Sequence, residues 1–312
     1  MSCDNCTTQK AIILRSKDRS KVCKECFYTL FEDDIHNTII NSSMFIEGST
    51  VGIGISGGKD STVLAYVLDK LNKKYQYNLK LVLLCVDEGI KGYRDYSIDT
   101  VHENSRDLDL NLKIVSFDNM FGLNMDEVVK KVGKRNNCTY CGVFRRQALE
   151  EAARNLNVDY IVTGHNADDM AETVLLNLVR GDFNRLQRCT SPVSSKHVTD
   201  DGFILSLPRA KPFKYTYQKE IVLYAFHKKL KYFSTECSYA PEASRGFVRN
   251  FVKEIEKIDS TVIFNIIKSG DNLFNQNNTI NTEVFSCIKC SHPTSSSDKI
   301  CKGCSFVKIL KK

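Results

Sequence analysis

The sequence predicts an α/β fold built on an open parallel sheet, and three observations carry that expectation. Short apolar runs recur through the middle of the chain. Each is followed by a stretch whose apolar residues keep helical spacing. Strands apolar along their whole length are buried on both faces, which requires helices above and below a parallel sheet. The third observation bounds this layer: four cysteines lie between residues 3 and 26, and four more between residues 287 and 304. Small cysteine-held modules are therefore expected at both ends.

The expected strands are Val51–Ile55, Leu81–Val86, Leu112–Val115 and Tyr160–Val162. The helices between and after them are Ser61 to about Tyr75, Ser97–Leu108, Gly142–Asn155 and Ala167–Val179. Beyond Phe213 the pattern turns mostly helical, from Thr216 to His227 and from Ser244 to Ile267. Residues 269–286, rich in Asn, Thr and Ser, read as a linker. The expected division is 1–30 for the first cysteine module, 31–268 for the α/β domain, 269–286 for the linker and 287–312 for the second module.

Composition narrows the class. With 312 residues and 42% hydrophobic content, the chain has room for one substantial domain with small appendages. The net charge of +7 fits an RNA partner, or simply solvated lysines. Of thirteen cysteines, ten fall into five CxxC pairs. No cationic-then-apolar leader opens the sequence, and no apolar run reaches membrane-span length. Metal or redox roles in a reducing compartment are expected, with a cytoplasmic location and no membrane partner.

Immediately after the first strand comes Ser56-Gly57-Gly58-Lys59-Asp60-Ser61. Adjacent glycines let backbone N–H groups close around a phosphate, and the helix that follows points its positive end at the anion. Lys59 adds a point charge, and Ser56 and Ser61 add hydroxyls. The four-residue spacing of a Walker loop is absent, and so is a dinucleotide fingerprint. The loop resembles the SGGxDS signature of the PP-loop ATP pyrophosphatases, which cleave ATP to AMP and pyrophosphate while adenylating a substrate. That resemblance implies an open parallel sheet of the PP-loop type, with ATP contacts from Gly54, Ser56, Gly57, Gly58, Lys59, Asp60 and Ser61.

A second segment, Thr163-Gly164-His165-Asn166-Ala167-Asp168-Asp169, follows the fourth strand. In a parallel sheet its loop emerges at the same carboxyl edge as the phosphate loop, where ligands bind. Asp168 and Asp169 supply the hard oxygen ligands that Mg²⁺ prefers, although either could simply cap the next helix. The segment resembles its counterpart in the tRNA-thiolating branch of the PP-loop enzymes. The resemblance implies ATP contacts from Gly164, His165 and Asp168, and Mg²⁺ contacts from Asp168 and Asp169.

Cys138-Thr139-Tyr140-Cys141 precedes the helix expected from Gly142, and Arg145 and Arg146 follow closely. Thiols near a helix N-terminus with cations close by are expected to have a lowered pKa. The pair alone reads equally as half a zinc site, a redox couple or part of an iron–sulfur site, with Cys237 as a candidate third ligand. The stretches Cys138–Arg146, Lys211–Tyr217, Tyr232–Cys237 and Arg245-Gly246 resemble the cytoplasmic tRNA 2-thiolation protein subunit 1 family across nearly the whole chain. That resemblance implies either a 4Fe–4S cluster on Cys138, Cys141 and Cys237 or persulfide chemistry at the same cysteines.

At the ends, Cys3-x2-Cys6-x16-Cys23-x2-Cys26 and Cys287-x2-Cys290-x10-Cys301-x2-Cys304 match structural zinc spacing. Two zinc ribbons are expected. Between Arg209 and Lys231 seven Lys and Arg residues face one Glu, interleaved with Phe213, Tyr215, Tyr217, Tyr224 and Phe226. This pattern reads either as an RNA surface or as an amphipathic helix with a buried aromatic stripe. Lys211 and Lys214, ahead of the helix, together with Arg145 and Arg146, are the RNA candidates.

The implied activity is ATP-dependent sulfur transfer to the 2-position of the tRNA wobble uridine. The implied partners are tRNA, a thiocarboxylated ubiquitin-related modifier as sulfur donor, and a paralogous second subunit in a heterodimer. The competing readings are another PP-loop adenylating ligase and a zinc-ribbon tRNA-binding scaffold with a vestigial ATP site.

Overall fold

In the computed structural model, which describes residues 1–134, 136–198, 204–235, 237–239, 244–273 and 283–311, the chain begins with a small hairpin. This is β1 (Ile13–Leu14) with β2 (Lys21–Val22), followed by helix α1 (Lys24–Asn41). The α/β layer then runs β3 (Thr50–Gly54), α2 (Lys59–Tyr75), β4 (Lys80–Asp87), α3 (Arg94–Leu108) and β5 (Leu112–Ser116). Helices α4 (Phe117–Phe121), α5 (Met125–Val132) and α6 (Asn137–Arg154) lead to β6 (Tyr160–Val162) and α7 (Ala167–Val179). After α8 (Phe183–Thr190) come β7 (His197–Val198), β8 (Ile204–Ser206), β9 (Arg209–Ala210) and α9 (Gln218–Lys228). The chain closes with α10 (Ser244–Ile258), α11 (Val262–Asn272), β10 (Phe285–Ser286), β11 (Pro293–Thr294) and α12 (Lys302–Leu310).

Five strands form one parallel sheet in the order β5-β4-β3-β6-β9. The register is set by pairs such as Ile53 with Leu83 on one side and with Val162 on the other. From central β3 the chain moves outward through β4 and β5, then returns to add β6 and β9 on the other flank. The strand order reverses between β3 and β6, and at such a switch point the two following loops diverge to leave a crevice at the carboxyl edge. The fold class is therefore the one expected, with β9 as an additional edge strand of two residues.

Burial explains the layers. Helix α2 carries Val63, Leu64, Val67, Leu68 and Leu71 on its inner side, all fully buried. It ends where Gln76 takes the left-handed conformation, φ 52°. On that face of the sheet α1 packs through Phe27 and Phe31, with Phe31 stacked on Tyr224 of α9 at 4.5 Å. Burying one such phenylalanine contributes roughly 1.5–3 kcal/mol, so the three buried rings Phe27, Phe31 and Phe213 bind α1 firmly to the layer. The other face holds Phe117, Phe144, Ala148 and Ala152 against Ile161. A third cluster joins α7, α10 and α11 through Met170, Tyr217, Val252, Ile263 and Ile267.

Both cysteine modules are welded to the layer. Buried Arg15 pairs with Asp18, Asp34 and Glu220, while Glu220 also accepts from the Ser16 and Lys17 backbone N–H groups at 2.9 and 3.1 Å. At the other end Tyr140 of α6 stacks on Phe306 of α12 at 3.9 Å, and Lys131 donates to the Leu310 carbonyl. Helix α1 runs unbroken across residue 30, and α11 extends to Asn272, past the expected start of the linker. Residues 274–282 of that linker lie outside the described residues. The mostly helical stretch expected from Ser244 to Ile267 consists of two helices. Asp259 accepts from the Thr261 N–H at 2.8 Å and from its hydroxyl at 2.7 Å, a local turn that competes with the helical ladder. No helix among the described residues is long and apolar enough to cross a membrane.

Candidate active site

The phosphate loop closes on itself through serine. Ser61 Oγ accepts from the Ser56 N–H at 3.1 Å and donates to the Gly58 carbonyl at 3.0 Å, drawing the loop into a tight ring. Gly57 has φ +82°, and a Cβ there would sit 2.5 Å from the Ser97 carbonyl oxygen, so only glycine fits. Gly58 is the N-cap of α2 and brings no side chain to cap it, leaving the helix N-terminus open to an anion. Lys59 turns aside, its ammonium 2.8 Å from Asp60.

The loop after β6 fits directly against this ring. A Cβ on Gly164 would lie 3.0 Å from the Asp60 carbonyl carbon, so glycine permits the close approach. Asn166 caps α7 through Asp169 N–H and donates from Nδ2 to Asp60 at 3.1 Å, locking the two loops together. Burial raises the Asp60 pKa, and the neighbouring Asp169 pushes in the same direction against Lys59. Burial likewise raises Asp169, opposed by Arg245, which donates to it at 3.0 Å.

Between these loops lies a cleft of about 510 Å³ lined by Gly54, Ser56, Gly58, Asp60, Ser61, Gly164, His165 and Asp169. Arg94, Arg145, Arg146, Arg209, Lys211 and Arg245 complete its wall, a concentration of cations suited to a polyphosphate. The surrounding protein, reinforced by Arg245 and Lys211, lowers the pKa of His165, although the ring stays in contact with solvent at the cleft mouth. Its Nδ1 lies 2.8 Å from the Thr163 hydroxyl. The surrounding protein, with Arg185 and Arg209 adding to the effect, lowers the pKa of Arg146, whose side chain remains exposed. Two roomier hollows, about 770 Å³ between α1 and α11 and about 660 Å³ under the C-terminal module, do not touch the phosphate loop.

Three expectations are corrected. Asp168 does not face the cleft: it is 2% exposed, accepts from the Gln218 N–H at 2.8 Å and pairs with Lys253. Its helix position turns it toward α9 and α10, and the carboxylates that do line the cleft are Asp60, Glu88 and Asp169. Lys214 is 1% exposed with its ammonium 2.9 Å from Asp271, so it presents no surface to RNA. Lys211 keeps a place on the cleft wall while donating to the Cys189 and Ser191 carbonyls at 2.8 and 2.9 Å, and burial brings its pKa down to about 8. Of the interleaved aromatics, Phe213, Tyr217 and Tyr224 are core, while Phe226 is exposed.

The third correction concerns the cysteine pair. Helix α6 begins at Asn137, so Cys138 and Cys141 stand in its first turns rather than ahead of it. The surrounding protein raises the pKa of both thiols, exposed Cys138 and half-buried Cys141, and Arg145 only partly offsets it with Nη2 3.4 Å from Cys141 Sγ. Cys237 is carried over this turn by a segment held at both ends. The Phe233 N–H donates to the Gly57 carbonyl at 2.8 Å, and the Tyr239 hydroxyl donates to Asp126 at 2.8 Å. Cys237 lies within electrostatic reach of Cys138 and Cys141. The three sulfurs do not crowd within 4.8 Å of one another as single-ion ligands would. That wider spacing suits a multi-iron cluster or an exchange of sulfur between thiols.

Sequence reasoning missed the residues that join the two halves. Arg94, 3% exposed, donates to the Ser56 carbonyl at 3.0 Å, and its Nε lies 3.0 Å from Glu88. Glu88 also pairs with Arg145 at 2.8 Å. These residues, like Asn166, Arg209 and Arg245, are common types scattered along the chain, and only the fold assembles them.

The terminal cysteines converge as expected. In each of two sets, Cys3, Cys6, Cys23, Cys26 and Cys287, Cys290, Cys301, Cys304, all four sulfurs lie within 4.8 Å of one another. The Cys23 N–H donates to Cys3 Sγ at 3.2 Å, and the Cys301 N–H to Cys287 Sγ at 3.2 Å, the same turn in both modules. Four thiols at this separation fit a closed tetrahedral metal.

Comparison with known proteins adds the family. A sequence family described as the PP-loop domain matches residues 28–256. The cytoplasmic tRNA 2-thiolation protein 1 of Oryza sativa subsp. japonica is 54% identical over 302 residues, covering 97% of this chain and 81% of the relative. That of Danio rerio is 50% identical over 310 residues, covering 99% and 88%. Among solved structures, the U34-tRNA thiolase NcsA from Methanococcus maripaludis with its 4Fe–4S cluster superposes with a TM-score of 0.83. It is 30% identical, and the match covers 99% of this chain and 96% of that one. A loop that presents ATP-type chemistry beside three cysteines, matched over nearly full length by these relatives, places the chain in the cytoplasmic tRNA 2-thiolation protein 1 family of the PP-loop ATP pyrophosphatases.

Proposed function

We propose that the chain is an ATP-dependent tRNA sulfurtransferase that adenylates the wobble uridine and replaces its 2-oxygen with sulfur. The observation carrying this reading is the shared cleft, with Ser56–Ser61 on one wall and Arg145, in contact with Cys141, on the other. The names of the relatives, cytoplasmic tRNA 2-thiolation protein 1 and U34-tRNA thiolase, support the same substrate class and a cytoplasmic location.

ATP phosphates would rest on the open N-terminus of α2, facing Arg146, Arg209, Lys211 and Arg245. Asp60 and Asp169, two half-buried carboxylates on the cleft wall, are the groups that would hold Mg²⁺. The uridine 2-oxygen attacks the α-phosphorus and pyrophosphate leaves. Fixed cations stabilise the charge that builds on the phosphate oxygens. Sulfide-level sulfur then adds to C2 of the base, and AMP departs with the original oxygen. Cys138, Cys141 and Cys237 would hold a 4Fe–4S cluster, which would supply a binding site for the sulfur to be transferred. The two terminal cysteine sets would hold zinc and contribute folding energy. A thiocarboxylated ubiquitin-related modifier would serve as sulfur donor, and a paralogous second subunit as heterodimer partner.

An amide-forming or lysidine-forming PP-loop ligase would leave Cys138, Cys141 and Cys237 without a task, and a scaffold would have no use for the closed phosphate loop. The deciding test is 2-thiouridine in tRNA from cells whose only copy carries Cys141→Ala. The expected result is its loss, and unchanged thiolation would sink the proposal.

A further inference from the structure

Both Glu88 oxygens lie in ion-pair contact with arginines that face opposite halves of the cleft. Its Oε2 lies 3.0 Å from Arg94 Nε, and its Oε1 lies 2.8 Å from Arg145 Nε. Arg94 is buried and reaches the phosphate loop, donating from Nη1 to the Ser56 carbonyl at 3.0 Å and to the Ser97 hydroxyl at 2.9 Å. Arg145 reaches the sulfur side with Nη2 3.4 Å from Cys141 Sγ. An unbroken path of contacts, Ser56–Arg94–Glu88–Arg145–Cys141, therefore joins the place where ATP would be split to the place where sulfur would be held.

We infer that Glu88 is a positioning residue that couples the phosphate loop to the cysteine helix, an inference that rests on the sulfurtransferase reading above. A buried carboxylate requires one cation to offset its desolvation, and Arg94, itself buried, already supplies it. The second oxygen does something different. It holds Arg145, whose side chain is 50% exposed, in one orientation over the sulfur. A long exposed arginine would otherwise sample many rotamers, and the planar guanidinium loses little further entropy once its Nε is fixed. The backbone that carries Glu88 is fixed: the Met125 N–H donates to the Glu88 main-chain carbonyl at 2.8 Å, and Gly89 turns the chain away at φ +68°. A shift of the phosphate loop around ATP would thus move Arg145 against Cys141, and adenylation and sulfur delivery would be kept in step.

The test uses the full-length protein purified anaerobically with its metals, tRNA, ATP and sulfide, and it counts pyrophosphate released against 2-thiouridine formed. Glu88→Gln keeps the shape and loses the charge. Its expected effect is pyrophosphate release within about threefold of wild type, while 2-thiouridine per pyrophosphate falls about tenfold to a hundredfold, the scale of a small misplacement of a reacting group. Glu88→Asp should recover part of that ratio. Because Glu88→Gln breaks a buried pair, Arg145→Gln provides a second route. It cuts the same path at its exposed end and should lower the same ratio. The inference is overturned if the ratio stays at the wild-type value in Arg145→Gln, or if pyrophosphate and 2-thiouridine fall in parallel in a folded Glu88→Gln protein. Absence of tRNA-dependent pyrophosphate release in the wild-type protein is a separate result, which removes the sulfurtransferase reading itself.

Discussion

Gly57 shows how narrowly the site is specified at the scale of one residue. Its φ of +82° costs an alanine about 1–2 kcal/mol, and the added Cβ would also strike the Ser97 backbone 2.5 Å away. The Ser97 carbonyl belongs to α3, so relief would require that helix or the loop to move. Gly57→Ala should therefore lower the melting temperature and weaken ATP binding at least tenfold, read by thermal denaturation and calorimetric titration; unchanged binding would remove the loop from the ATP site. Much of this ring was legible in the sequence, because Ser56–Ser61 is contiguous and each residue type has one physical reason to be there. Asp168 was misread for the opposite reason. Two adjacent aspartates at a helix start look equivalent in sequence, but on α7 they point about 100° apart. One meets Asp60 and Arg245, and the other meets Lys253.

At the scale of elements, helix α6 connects the cysteine pair to the C-terminal module. Tyr140, lying between Cys138 and Cys141 in sequence, stacks on Phe306, and Gln147, next after Arg146, donates to Cys301 Sγ at 3.1 Å. Loss of metal from Cys287, Cys290, Cys301 and Cys304 should unseat α12 and loosen the first turns of α6. Hydrogen exchange on Cys301→Ser should show faster exchange over residues 137–147 and unchanged exchange in β3 and α2. Uniform protection across α6 would contradict this coupling. The strands and helices of the layer were readable because a continuous apolar run and a 3.6-residue spacing each match a single backbone geometry. Strand β9 was not readable, since two residues behind Pro208 carry no period, and α1 was obscured where its apolar stripe begins inside the cysteine module at Phe27. The break between α10 and α11 turns on the side chain of Asp259, a local competition that an otherwise helical pattern hides.

For the whole molecule, two chemistries meet at one atom. The phosphate loop lies at the reversal of strand order between β3 and β6, and the cysteine helix α6 is the connection that enters β6, so one crossover carries the sulfur site to the edge where ATP would bind. The central claim is that the uridine 2-oxygen is the nucleophile toward ATP and is then displaced by sulfur. It is tested most directly with tRNA carrying ¹⁸O at the 2-position of the wobble uridine, incubated with the anaerobically purified protein, ATP and sulfide. AMP should acquire the ¹⁸O label in step with 2-thiouridine. Unlabelled AMP formed alongside 2-thiouridine would contradict it, because the 2-oxygen would then have left without ever bonding to phosphorus.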